Sequence, residues 1–188
     1  MPNLTEPEAI ERAKAGDQQA FRFLVESFQG FVYSIAFRFT SDEAEAEDLT
    51  QEAFIRLWKN LDRYNPEYKL RTWLGKIITN LSLDFLKSSR KKSERERISM
   101  DEHLPVADHK HHENELNARE LQGILRKLAD QLNPKQKAAF VLRDLEMMDV
   151  SEVCELLGET AANLKSNLYY ARKNIRENLL LYYKTITV

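Results

Sequence analysis

Apolar residues recur every three or four positions along most of the chain, the spacing at which side chains share one face of an α-helix. Two stretches show it most clearly, from Ser41 to Leu61 and from Arg71 to about Lys91. Their stripes are Leu49, Ala53, Leu57 and Leu61 in the first and Leu74, Ile78, Leu81 and Phe85 in the second. No stretch alternates apolar and polar residues as a half-buried strand would. The pattern predicts an all-α protein.

Phenylalanine and tyrosine are concentrated between residues 21 and 39. They are Phe21, Phe23, Phe28, Phe31, Tyr33, Phe37 and Phe39. Most must lie in a core, because a soluble protein rarely exposes so large an apolar patch. The spacing predicts two helical stretches here, with a break near Gln29 and Gly30.

Capping residues divide the remaining pattern into separate helices. Thr5 with Glu8 and Asp149 with Glu152 have the spacing of a capping box. Further start and stop signals are Asp17, Asn133 before Pro134, Thr160 with Asn163, and the glycines Gly16 and Gly158. Residues 62–66 form a turn, because Pro66 cannot continue a helix. These signals predict short, well-capped helices in both halves of the chain.

Helical periodicity is lost between Ser88 and Asn114, where charges are mixed and a proline occurs. We interpret this stretch as a flexible polar linker and predict two small helical domains, residues 1–92 and 115–188, joined by residues 93–114. All four histidines of the chain fall here, His103, His109, His111 and His112. They have no cysteine partner and no i, i+4 pair, so we interpret them as linker residues rather than metal ligands.

Residues 149–172 have the spacing of a helix-turn-helix within a predicted four-helix unit: a short helix, a turn with Gly158, and a second helix with an apolar inner face. In such units the second helix enters the major groove. Its candidate contacts to bases and phosphates are Asn163, Lys165, Ser166, Asn167, Tyr170, Arg172, Lys173 and Arg176. A plain helical hairpin packed on a neighbour would show the same caps and stripe.

Charge is distributed unevenly along the first domain. Residues 42–52 hold six acidic residues and no basic one, whereas residues 54–92 hold ten lysines and arginines against three acids, in a chain of net charge −2. Such a contrast indicates a docking surface for a basic partner beside a groove for a polyanion. Two solvated helix faces would give the same composition.

Other function classes find little support in the residues. No nucleophile–base pair, phosphate-binding glycine loop or metal-ligand spacing occurs, so we expect no enzyme activity, metal, cofactor or small-molecule substrate. The single cysteine, Cys154, is interpreted as a small core residue. The sequence shows no signal peptide and no apolar run of bilayer length, so we expect a cytoplasmic protein.

Three motifs resemble those of a known family. A D-L-x-Q-x-x-F-x-x-x-W pattern is matched by Asp48, Leu49, Gln51, Phe54 and Trp58, and a T-W-L-x-x-I-x-x-N-x-x-x-D pattern by Thr72, Trp73, Leu74, Ile77, Asn80 and Asp84. The second domain matches at Leu132, Pro134, Glu152, Val153, Leu157, Gly158, Lys165, Ser166, Leu168, Ala171 and Arg172. Together the motifs resemble the extracytoplasmic-function (ECF) type of bacterial RNA polymerase sigma factor.

The resemblance implies a role for each surface. The acidic helix would dock on the clamp coiled coil of core polymerase through Asp48, Gln51, Glu52 and Ile55. The turn at residues 62–70 and the basic helix would read and melt the minus-10 element, with a flipped base held in a pocket on the turn. Contacts expected there are Tyr64, Asn65, Tyr68, Arg71, Lys76, Asn80, Lys87 and Arg90. The last helix would read the minus-35 element through Thr160 and the outward residues named above.

The chain departs from the family pattern at the last helix, where Asn163, Asn167 and Tyr170 replace the commoner Thr, Arg and Arg. Fewer arginines weaken phosphate attraction and guanine readout, whereas asparagine favours adenine, so an altered minus-35 preference is expected. We interpret Trp58 and Trp73 as core anchors, since each lies on or next to an apolar stripe.

The resemblance also implies partners: the clamp coiled coil and flap of core RNA polymerase, promoter DNA, and an anti-sigma factor, which in this family is often membrane-bound. The linker would let the acidic and basic domains of the free protein fold onto each other, so autoinhibition is a hypothesis. The alternative interpretation is a dimeric helix-turn-helix regulator that binds duplex DNA without polymerase. The acidic helix would then be incidental.

Overall fold

The computed structural model describes residues 4–99 and 118–186, with side chains except at residues 89–99, 118–122, 126 and 183–186. The first range contains α1 (Glu6–Lys14), α2 (Gln18–Thr40), α3 (Glu43–Asn60), a 3₁₀ turn (Leu61–Arg63) and α4 (Leu70–Ser99). The second contains α5 (Ala118–Asp130), α6 (Pro134–Phe140), a π-helical turn (Val141–Leu145), α7 (Val150–Leu157) and α8 (Ala161–Ile186). Neither range contains a strand, and the all-α prediction is confirmed.

Short polar side chains begin several helices at the predicted positions. Asp17 accepts hydrogen bonds from the backbone N–H groups of Gln19 and Ala20, at 2.9 and 3.1 Å. Asn133 accepts one from the N–H of Gln136 at 3.0 Å. These bonds satisfy donors that the first turn of a helix leaves without partners. The predicted N-caps of α2 and α6 are therefore confirmed.

Two predicted helix limits are wrong. The helix α2 continues through Gln29 and Gly30, because a single glycine costs a helix only about 1 kcal/mol and the buried face resumes at Val32. The helix α4 continues to Ser99, past the expected end near Lys91. The residues beyond Lys91 lack an apolar stripe but are mostly lysine, arginine and glutamate, whose intrinsic propensity favours a helix over irregular chain. The rest of the predicted linker, with all four histidines, lies outside the described residues.

The predicted capping box of α7 is also wrong. Asp149 stands at the N-cap position, but its side chain makes no capping hydrogen bond. Glu152, which was expected to complete the box, instead accepts a hydrogen bond from the hydroxyl of Thr72 on α4, at 3.3 Å. A contact between the two halves of the chain has replaced a local one.

Each half of the chain has its own core. The helices α2, α3 and α4 pack around residues that include Leu24, Ile35, Leu57, Leu74 and Ile78. The helices α5, α6 and α8 enclose a second cluster of Ile124, Leu128, Leu132, Phe140, Ala171 and Ile175. The two-domain, all-helical architecture is confirmed.

The two domains also pack against each other. The helices α6 and α7 lie on α4, and the π-helical turn lies on α2. Leu142, Val153 and Leu156 are buried there in one cluster with the core of the first domain. Gly75 of α4 permits the close approach, because a Cβ at this position would stand 3.1 Å from a methyl carbon of Leu156. The motif-bearing face of α7 is therefore partly covered by the first domain.

Candidate functional site

The acidic helix α3 presents a mixed polar and apolar surface. Asp48 and Gln51 are exposed, Glu52 is half-buried, and Ile55 is 46% exposed. Glu52 forms an i, i+4 ion pair with Arg56 at 2.7 Å. The four predicted docking residues therefore lie on accessible parts of one helix, where an exposed isoleucine among carboxylates is typical of a protein-binding surface.

Trp58 lies one turn beyond Ile55 and is 39% exposed. The interpretation of Trp58 as a core anchor is wrong. Its ring packs edge-to-face on Phe21, with centroids 4.6 Å apart, and the rest of it faces solvent. The sequence carried one signal of this exposure, because Trp58 lies beside the apolar stripe of α3 rather than on it. Tryptophan is enriched at the energetic centres of protein interfaces, so we add Trp58 to the predicted docking surface of α3.

One tyrosine supports the turn between α3 and α4. Tyr64 is 9% exposed, stacks on Trp73 with ring centroids 5.5 Å apart, and donates its hydroxyl to the backbone carbonyl of Tyr68. Burial raises the pKa of Tyr64, and the charge of Glu6 adds to the effect. Tyr64 therefore shapes the turn from inside, whereas Tyr68 is 53% exposed and Asn65 is also exposed.

An open cleft of about 380 Å³ lies beside this turn. Its lining residues are Arg63, Tyr64, Asn65, Tyr68, Thr72, Trp73 and Lys76 from the first domain, with Glu155 and Leu156 from α7. The structure thus brings four predicted minus-10 contacts to one cavity, namely Tyr64, Asn65, Tyr68 and Lys76. The volume falls within the range of small-ligand pockets, roughly 300–1,000 Å³.

The helix α4 carries the remaining predicted contacts of this domain. The guanidinium of Arg71 lies 3.7 Å from the ring centroid of Phe31, a cation–π contact that fixes its position. Lys76 and Asn80 are exposed, one helical turn apart. At 3.6 residues per turn, Arg71 lies roughly 140° around the helix from Lys76, so these two cations do not share one face.

Lys87 lies roughly 16 Å further along α4 than Lys76, from the rise of an α-helix. Its ammonium pairs with Asp84 at 3.1 Å on a well-exposed surface. Such exposed ion pairs contribute little to stability, so the lysine can readily exchange its carboxylate partner for another anion. Arg90 belongs to the same helix, but its side chain lies outside those that the structure describes.

The second domain contains the predicted helix-turn-helix. Gly158 ends α7 in the left-handed region with φ 62°, and the Oγ1 of Thr160 accepts the N–H of Asn163 at 3.2 Å to begin α8. The side-chain amide of Asn163 donates to Glu159 at 3.0 Å, and Lys135 pairs with the same carboxylate at 2.8 Å. Both bonds lower the pKa of Glu159, and the bond from Lys135 has the larger effect. Sequence reasoning missed this support of Asn163.

The predicted minus-35 contacts divide between two faces of α8. Asn163, Ser166 and Tyr170 are exposed on one face at i, i+3, i+7 spacing, and Asn167 beside them is half-buried. A second group lines a groove of about 980 Å³ along the helix; it consists of Lys165, Arg172, Lys173 and Arg176. Arg172 is held there by two hydrogen bonds to Asp144, at 2.6 and 2.8 Å, which raise its pKa.

Comparison with known proteins decides the family. The profile of Sigma-70 region 2 matches residues 24–92, and that of Sigma-70 region 4 matches residues 122–175. The ECF RNA polymerase sigma factor SigW of Bacillus subtilis is 28% identical over 177 residues, which cover 90% of this chain and 94% of that protein. The chain is an ECF sigma factor. Its function is therefore to direct transcription initiation, and the dimeric-regulator interpretation is not favoured.

A second relative of this sigma factor is SigE of Mycolicibacterium smegmatis, which is 33% identical over 172 residues, 87% of this chain and 64% of that protein. Two solved structures share the fold. CnrH, in complex with the cytosolic domain of CnrY, has a TM-score of 0.65 and 20% identity, and covers 91% of this chain and 94% of its own. RpoE of Bartonella quintana, in complex with the anti-sigma factor NepR, has a TM-score of 0.63 and 21% identity. The match covers 85% of this chain and 96% of RpoE.

Within residues 4–99 and 118–186, no group of three or more His, Cys, Asp or Glu is placed to hold a metal ion. In the same ranges, no helix combines the length and hydropathy of a bilayer-spanning segment. Cys154 is half-buried in α7 with a free thiol.

Proposed function

We propose that this sigma factor docks on core RNA polymerase through the exposed surface of α3 and engages the minus-10 element through the turn cleft and the basic face of α4. The observation that supports this most directly is the presence of both surfaces on one small domain. Asp48, Gln51, Glu52 and Ile55 form the first surface. The second combines the turn cleft, which Lys76 lines, with the exposed side chains of Asn80 and Lys87 further along α4. In this assignment residues 1–92 are the region-2 domain, and residues 93–114 are the linker.

Residues 115–188 form the region-4 domain, which in our proposal reads the minus-35 element with the outward face of α8. Asn163, Ser166 and Tyr170 share that face, and Thr160 lies at its amino-terminal end, where a helix favours phosphate. Asn167 borders it. Lys165, Arg172, Lys173 and Arg176 are assigned to backbone phosphates on the groove side, where they supply charge rather than base recognition.

We propose the groove along α8 as a binding site for a helix of a partner protein. Its apolar residues include Val150, Leu164, Leu168 and Leu180, and basic side chains form its rim. An amphipathic helix with acidic flanks has the complementary chemistry. Two such partners are proposed, the polymerase flap and an anti-sigma factor. NepR is an anti-sigma factor bound to one solved structural neighbour. The two partners could not occupy this groove together.

We further propose that the protein performs no chemistry itself, because its contacts position and open DNA while the polymerase holds the catalytic centre. It would act in the cytoplasm, where polymerase and promoters are found. The test is reconstitution of purified protein with sigma-free core polymerase on a pool of genomic fragments. Defined start sites that share upstream elements support the proposal. Tight duplex binding without polymerase, together with no start sites from a cognate core, would instead support a dimeric helix-turn-helix regulator.

Asn163→Ala is expected to relax the minus-35 preference at one base pair by about tenfold, since a bidentate amide contact discriminates by roughly 1–3 kcal/mol. Competition between promoter fragments with each base at that position measures the effect in the holoenzyme. Ser27→Ala changes an exposed residue of α2 in the other domain; it is the control and should leave the preference intact. If the preference were unchanged in the Asn163 variant, this side chain would not read a base.

A further inference from the structure

The turn of the helix-turn-helix places a carboxylate beside Asn163. Glu159 stands between α7 and α8, and its side chain is only 16% exposed. Its backbone N–H donates to the carbonyl of Cys154 at 3.1 Å, which ties the residue to the end of α7. Its carboxylate accepts hydrogen bonds from Asn163 in the first turn of α8, at 3.0 Å, and from Lys135 at the start of α6, at 2.8 Å. Three helices therefore meet at one acidic side chain.

This carboxylate fixes the orientation of the amide of Asn163. An ionised carboxylate only accepts hydrogen bonds, and the bonds from Lys135 and Asn163 lower the pKa of Glu159 and so keep it ionised. The nitrogen of the amide, and not its oxygen, must therefore face Glu159. The backbone of Asn163 is held as well, because its N–H donates to the hydroxyl oxygen of Thr160 at 3.2 Å. An amide without such a partner turns over and exchanges a donor for an acceptor.

The fixed amide keeps the groups that one particular base requires. The bond to Glu159 uses one amide hydrogen, and the other hydrogen and the carbonyl oxygen stay available. Adenine offers an amino group and the N7 acceptor in the major groove, which match this pair of groups. Guanine offers two acceptors there, N7 and O6, so the amide oxygen would face one of them. An amide that cannot turn over therefore selects adenine and rejects guanine.

Lys135 offsets the charge that this arrangement places near DNA. A lone carboxylate at the start of α8 would repel the phosphates that the amino-terminal end of a helix attracts. Lys135 is 74% exposed and pairs with Glu159 at 2.8 Å. Because an ammonium has three N–H donors, it can hold Glu159 with one and contact phosphate with another. The pair thus orients Asn163 without adding net negative charge beside the proposed DNA-binding face.

We propose that Glu159 is a positioning residue for minus-35 recognition, which holds the amide of Asn163 in the orientation that reads adenine and excludes guanine. This inference rests on the proposed function of α8. Glu159 acts through Asn163 and makes no contact with a base itself. The alternative is that the bond only stabilises the first turn of α8, as i, i+4 side-chain pairs commonly do. Stability affects all promoters alike, whereas positioning affects one base pair.

The first test compares promoters that carry adenine or guanine at the position where Asn163→Ala relaxes the preference. Competition between the two in the holoenzyme gives the ratio of their affinities. Glu159→Ala should lower the adenine-over-guanine ratio by about threefold, a part of the roughly tenfold discrimination that a bidentate contact supplies. Binding of the guanine promoter should become tighter, because the released amide can donate to guanine. A loss of structure would instead weaken both promoters by the same factor and would contradict the inference.

Two further variants separate charge from orientation. Lys135→Ala leaves the bond between Glu159 and Asn163 in place but removes a cation, so it should weaken both promoters by a similar factor and keep the ratio. A shift of the ratio as large as that in Glu159→Ala would assign the preference to net charge and overturn the inference. Glu26→Ala removes an acid from an exposed i, i+4 pair on α2 and is the control, which should change neither affinity.

A double-mutant cycle tests whether Glu159 acts through Asn163. In the Asn163→Ala background, Glu159→Ala should cause no further change in the ratio, because two residues that serve one contact are not additive. An equal change in both backgrounds, or an unchanged ratio in Glu159→Ala alone, would overturn the inference while the readout by Asn163 stands. Failure of the proposed function would look different, because Asn163→Ala itself would then leave the preference unchanged at every base pair.

Discussion

The double variant Asp48→Arg, Ile55→Glu is expected to lose core polymerase affinity by about 100-fold or more. Arginine brings a like charge toward the basic partner that the acidic surface of α3 predicts, and glutamate replaces an isoleucine that is 46% exposed and available for burial. Central contacts of an interface commonly contribute 2 kcal/mol or more each, and 1.4 kcal/mol is tenfold in affinity. Titration of labelled sigma factor with core polymerase measures the loss.

A matched control separates docking from general charge effects. Glu26→Arg reverses an exposed acid on α2, whose ion pair with Arg22 is accessible to solvent, and should leave polymerase affinity unchanged. Both proteins should show wild-type helicity, because each substituted side chain lies on a helix surface. Wild-type affinity in the double variant would exclude α3 as the docking surface.

Tyr64→Ala is expected to reduce the free energy of unfolding by about 3 kcal/mol, in the range for truncating a buried aromatic side chain. It removes the ring that stacks on Trp73 and the hydroxyl that holds the carbonyl of Tyr68. The turn would lose the shape of its cleft, so promoter melting should fail even where the protein remains folded. Thermal unfolding measures the first effect, and permanganate reactivity of promoter thymines in the holoenzyme measures the second.

Tyr64→Phe distinguishes the two contributions. It keeps the ring on Trp73 and loses only the hydrogen bond, so the expected destabilisation is about 1 kcal/mol and melting should persist. If the phenylalanine variant failed to melt promoters while unfolding at nearly the wild-type temperature, the hydroxyl would act on DNA directly. The supporting role that its burial indicates would then be wrong.

Local features of the fold could be predicted from the sequence because they depend on neighbours in the chain. Asp17 caps α2, and Gly158 ends α7 in the left-handed conformation that glycine adopts readily. The continuity of α2 through Gly30 could not be predicted in the same way, since the packing of a long buried face outweighs one poor helix former.

The candidate site was predictable in part. Periodicity located Asn163 and Lys76 on exposed helix faces, but it could not show that Glu159 holds Asn163. Nor could it show that α7 lines the turn cleft. Such contacts join residues far apart in sequence, and the packing of two preformed surfaces leaves little local pattern. One signal was available: α7 has more apolar positions, Val153 and Leu156 among them, than a helix packed on one neighbour requires.

The close approach of α7 over Gly75 has an evolutionary consequence. A glycine codon becomes alanine, valine or an acidic residue by a single nucleotide change, and each of these places atoms where Leu156 now packs. The tightness of the packing between the two domains can thus change in small inherited steps at one position. Selection could adjust that packing there without altering any residue that we propose to read a promoter.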